Sequence, residues 1–137
     1  MTGVQTCALP ISALDEAIDI IADARSAEVG PMLSRLFGQG INPTTLCIAV
    51  TRHFRNLYLA ASHPSGPDVG LSRVRPPVFG LRKERMVRQV RQWGGMRLEK
   101  ALGVLMDTDL SLRSSSKTPA HAMLERAFIR ISMMRPK

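Results

Sequence analysis

The stretch SSSKT at residues 114–118 ends like a phosphate-binding loop. Such a loop needs glycines at both ends of the pattern GxxxxGK[ST], because its backbone amides must come close to the phosphates. Ser111 and Ser116 stand at the glycine positions and no strand-like run precedes them, so the stretch reads as a loop between helices. His53, His63 and His121 share no metal-ligand spacing, and Cys47 has no histidine three or four residues on. His53 falls on an inward-leaning helix face and reads as a buried, hydrogen-bonded histidine, with Cys47 a small apolar residue of the same helix. A serine or cysteine nucleophile needs a base and an orienting group beside it, and no order of residues here announces that convergence. No catalytic, cofactor-binding or metal-binding residue is assigned, and whether the chain belongs to an enzyme is left open.

The stronger chemical signal is charge. Lys and Arg number 19 against 11 Asp and Glu, a net charge of +8, which directs attention to acidic partners. Residues 13–30 carry Asp15, Glu16, Asp19, Asp23 and Glu28 against Arg25 alone, whereas residues 73–91 carry seven bases against Glu84. Within the basic stretch Arg82, Arg85, Gln89 and Gln92 fall along one helix face, with Arg88 beside them, and these five are the candidate partner or nucleic-acid face. Arginines on successive turns suit phosphates, acidic partner helices or plain solvation. Trp93 and Tyr58 are the only Trp and Tyr, so platforms for base stacking are scarce and the nucleic-acid reading stands behind the other two. The eight methionines read as fillers of core gaps.

Helices must position these groups. The 137 residues suit one domain with a sizeable core, and apolar residues recur three and four apart almost throughout. The spacing predicts an all-α domain of about six helices. Helix one covers about 13–25 with Leu14, Ile18, Ile21 and Ala22 inward, and helix two about 28–37 with Pro31 in its first turn and the GQG at 38–40 as its stop. Asn42 caps a third helix that starts at Pro43, runs to about 62 and buries Leu46, Val50, His53, Phe54, Leu57 and Ala61. SHPSGPDVG at 62–70 reads as a loop and RVRPPVFG as extended chain. Helices over about 81–93 and 96–113 follow, the first with Met86, Val90 and Trp93 inward and the second with Leu98, Ala101, Leu102, Leu105 and Leu112. Thr118 as cap and Pro119 as first residue open the last helix, whose stripe is Leu124, Ala127, Phe128 and Ile131. No apolar run is long enough for a membrane span, and two cysteines without a pairing framework fit a reducing, cytoplasmic setting.

Taken as a series, ALDEAIDIIADA, LSRLFGQGINPTTLCIAVTRHFRNLYLA, RVRPPVFGLRKERMVRQVRQW, RLEKALGVLMDTDLSLRSS and AMLERAFIRI resemble the C-terminal helical domain of the delta subunit of the bacterial DNA polymerase III clamp loader, in its alphaproteobacterial form. The resemblance covers about residues 13–133 and is strongest at RHFRNL with the Gly-then-Pro turn before it, and at RPPVF before a basic helix ending in Trp93. It departs from the family at WGGM, residues 93–96. It implies a collar domain that packs against the gamma/tau and delta-prime subunits, reaches DNA only through the assembled complex and hydrolyses no ATP. It also implies upstream AAA+-like and lid domains. The family counts among subunits of a DNA-directed DNA polymerase, a nucleotidyltransferase.

The first twelve residues, MTGVQTCALPIS, carry no charge and no period. Read as DNA from a GTG start, ACT GGA GTT CAG ACG TGT GCT CTT CCG ATC T encodes TGVQTCALPI and the first base of a serine codon, and resembles a sequencing-library adapter. The expectation is that residues 1–12 are an unstructured artefact and that 13–137 are the helical domain. Chromosomal resequencing is expected to yield different codons upstream of residue 13; recovery of these same codons would overturn it.

Overall fold

The computed structural model describes the backbone of residues 3–74, 78, 80–114 and 119–134, with side chains from residue 13 onward within those ranges. They form seven α-helices: α1 (Gly3–Ala22), α2 (Ser26–Gly38), α3 (Pro43–Ala61), α4 (Pro67–Ser72), α5 (Gly80–Trp93), α6 (Gly95–Arg113) and α7 (Ala120–Ser132). The all-α expectation holds with one helix more. No described helix is long and apolar enough to cross a membrane.

α3 is the centre, and its start is written locally. The Asn42 side chain accepts from the amides of Thr44 (2.8 Å) and Thr45 (3.4 Å), while Pro43 occupies the first helical position where no amide is needed. The helix then buries Leu46, Cys47, Val50, His53, Phe54, Leu57 and Ala60, Ala60 taking the place expected for Ala61. It packs on α1, α4, α5, α6 and α7, while α2 covers α1 and α7. Trp93 meets Phe54 edge to face at 5.1 Å, and both are fully buried with Phe128, Leu33 and Leu98. Burying a side chain of this kind stabilises by about 1.5–3 kcal/mol before entropy is set against it. Cys47 lies in this core, and desolvation, reinforced by the Asp109 carboxylate, raises its thiol pKa.

Helix one ends at Ala22, three residues early, because its stop is one the sequence disguises. The amide of Arg25 reaches the carbonyl of Ile20 (3.0 Å) and that of Ala24 the carbonyl of Ile21 (3.1 Å), the Schellman pattern, with Ala24 at φ +62° where glycine or asparagine is usual. The same pattern closes α2 at Gly40, φ +90°, as the GQG predicts. At the other end α1 is helical from Gly3, ten residues before the expected start at 13; extending an existing helix is far easier than nucleating one.

Three further expectations change. Pro31 lies in the second turn of α2, not the first, because the helix already begins at Ser26. Residues 62–70 are not all loop: Pro67 starts α4, which settles on α3 through Gly70, where a Cβ would come within 2.6 Å of the Ala60 Cα. α7 starts at Ala120, and the Pro119 carbonyl accepts the amide of Met123 (3.0 Å). The Thr118 cap with Ser115, Ser116 and Lys117 before it, and Arg75, Pro76, Pro77 and Phe79 of the extended stretch, lie outside the described residues. The stripes of α5, α6 and α7 are inward as predicted, with Leu102 and Leu112 half-buried.

Candidate interaction face

α5 carries the candidate residues, and the structure divides them. Positions 82, 85, 89 and 93 follow helical spacing and form one stripe, which turns towards the C-terminal turns of α1. There Asp19 is buried, with 5% of its surface exposed. Arg82 Nη1 donates to both of its oxygens (2.7 and 2.6 Å), and Arg85 Nη1 to Oδ2 (2.8 Å). Gln89 is 1% exposed and donates through Nε2 to Asp23 Oδ1 (3.0 Å) and Asp19 Oδ1 (3.3 Å). One turn further, the Trp93 indole N–H donates to the carbonyl of Ala22 (2.9 Å).

The last link runs into the core. Gln89 Oε1 lies 2.8 Å from His53 Nε2, and since the amide nitrogen of Gln89 is committed to two carboxylates, the network assigns the proton to His53 Nε2. Burial holds His53 far below its ordinary pKa, to about 4, against the Gln89 hydrogen bond, which favours the charged form. The buried, satisfied histidine of the sequence reading is therefore present, neutral at pH 7.

The acidic end and the basic stretch thus meet inside one molecule. Arg82, Arg85 and Gln89, expected on an outward face, turn onto acidic residues of α1: both guanidinium groups share the Asp19 carboxylate, and Gln89 donates to Asp19 and to Asp23. Arg88 and Gln92 lie elsewhere on α5, exposed, and line with Arg91, Asp68 and Glu84 a shallow hollow of about 400 Å³. Sequence reasoning missed Asp19 as the anchor, although the opposite charge of the two segments was its signal. Among the described residues no group of three or more His, Cys, Asp and Glu converges in a way that could hold a metal ion.

No family model matches the chain, and no curated protein matches it by sequence. Among solved structures, the Bacillus subtilis DNA clamp loader delta protein (YqeN) matches 88% of this chain with a TM-score of 0.71 at 17% identity. This chain has a clamp-loader delta-like fold. It spans 36% of that protein's length.

Two outcomes follow from the network. Asp19→Ala leaves Arg82, Arg85 and Gln89 without their shared acceptor, and is expected to lower unfolding stability by about 2 kcal/mol in urea titration. The His53 contribution is lost on acidification: the unfolded histidine takes up a proton near pH 6.5 while the folded one resists to about 4, so stability present above 6.5 falls as pH drops through that window. Up to about 3 kcal/mol is at stake. His53→Gln is expected to flatten that part of the pH–stability curve measured by denaturant titration.

Proposed function

We propose that this chain is the collar domain of a clamp-loader delta subunit of alphaproteobacterial type, acting in DNA replication by holding the gamma/tau and delta-prime subunits in the assembly that loads the sliding clamp. The observation that carries the reading is the delta-like fold, shared with the Bacillus subtilis protein over 88% of this chain. The family resemblance of residues 13–133 points the same way. In this reading the domain works by contact with other proteins in the cytoplasm, and DNA is reached only through the complex.

The charge balance supports a protein partner over nucleic acid. Two of the three arginines on the candidate face, Arg82 and Arg85, share one buried carboxylate, and a guanidinium held by a carboxylate inside the fold releases fewer counterions from a phosphate backbone than one exposed to solvent. When the chain is mixed with gamma/tau and delta-prime subunits, co-migration on a sizing column is expected. Separate elution of the folded chain at concentrations of about 10 μM would overturn the proposal, since stable assemblies bind well below that.

A further inference from the structure

α6 is apolar on more than its packed side. Leu98, Ala101 and Leu105 are buried, whereas Met106 and Leu110 keep 64% and 62% of their surface exposed. Facing them, α3 leaves Ile48 42% exposed. Between the two helices runs a groove of about 420 Å³, with Ile48, Leu102 and Met106 as apolar lining and Arg52, Arg55 and Arg113 on its flanks. The spacing explains the shape: 48, 52 and 55 lie on one face of α3, and 102, 106 and 113 on one face of α6.

The charges around the groove are unevenly satisfied. Arg113 Nε is 3.1 Å from Asp109 Oδ2, which also lines the groove. Arg52 and Arg55 are exposed and pair with no carboxylate among the described residues. A trough between two packed helices accepts a third helix by ridges into grooves, with axes about 8–10 Å apart. An apolar stripe would cover Ile48, Leu102 and Met106, and carboxylates beside it would meet the arginine forks. A nucleic-acid backbone offers phosphates but no apolar ridge. A second copy related by a two-fold axis would set basic groove against basic groove.

We propose that the α3–α6 groove is the seat of an acidic amphipathic helix of another polypeptide. This rests on the assembly reading above for the identity of the partner, and on the groove alone for its chemistry. The stripe of α5 is spent on Asp19, so the partner-binding surface shifts from the basic helix to the opposite flank of α3.

The probe is a labelled helical peptide with leucines at positions i, i+3, i+4 and i+7 flanked by glutamates, alongside its lysine-flanked counterpart, titrated against the full chain by fluorescence anisotropy. The acidic peptide is expected to bind, more tightly at low salt, and to lose about tenfold or more in affinity with Met106→Glu and with Arg52→Glu/Arg55→Glu. Arg88→Glu on α5 is expected to leave binding unchanged, and circular dichroism melts check that each variant is folded. Absent binding of the acidic peptide, equal binding of both peptides, or unchanged binding by folded groove variants would overturn the proposal. So would self-association of the chain that the groove variants abolish, or competition by duplex DNA for the same groove. Peptide binding without co-migration of the gamma/tau and delta-prime subunits would leave the groove standing and sink the assembly reading; co-migration that the groove variants leave intact would do the reverse.

Discussion

Asp19 is a carboxylate taken out of water near the end of α1, and a charge so placed persists in a folded protein only if its surroundings answer it. Arg82 and Arg85 supply opposite charge and Gln89 a neutral donor, all from α5. The requirement ties together helices sixty and more residues apart in the chain. Because Gln89 then hands its carbonyl to His53, the same requirement reaches α3 and fixes which ring nitrogen carries hydrogen. The core packs around this polar spine, with Phe54 and Trp93 in edge-to-face contact on the same two helices, α3 and α5.

The spine also decides what α5 can offer outside. A helix rich in arginine suggests a cationic surface, but Arg82 and Arg85 share a carboxylate within the fold, which weakens their long-range field and leaves Arg88 and Arg91 as the outward cations of α5. On α3 and α6, by contrast, apolar side chains stay in water beside the exposed Arg52 and Arg55. The charges thus divide: one set is used within the fold, another stays in water.

Much of the fold was legible because it is local. The Asn42–Pro43 start of α3, the glycine stop of α2 and the three- and four-residue stripes of α3, α5 and α7 each depend on residues within a turn or two of one another. The failures share the opposite character. Ala24 adopts a left-handed conformation for which glycine would have been the signal, so α1 was extended too far. Gly70 matters because of Ala60, ten residues away, and nothing in SHPSGPDVG discloses that contact. Asp19 and Gln89 look like ordinary surface residues on their own helices; it is the packing of α1 and α5 on α3, with the bonds between their side chains, that buries them. The groove was invisible for a related reason: α6 carries leucine and methionine around most of its circumference, and a helix wheel cannot say which side will find a neighbour.

A helix normally ends with four carbonyls that its own ladder cannot serve, and most proteins leave that end near water. At the end of α1 three of these have protein donors: the amide of Arg25 serves Ile20, that of Ala24 serves Ile21, and the indole of Trp93 serves Ala22. Fraying, which usually starts at helix ends, here requires Trp93 to leave the middle of the core as well, so the corner between α1 and α2 has no private way of opening and shares the cooperativity of the whole domain.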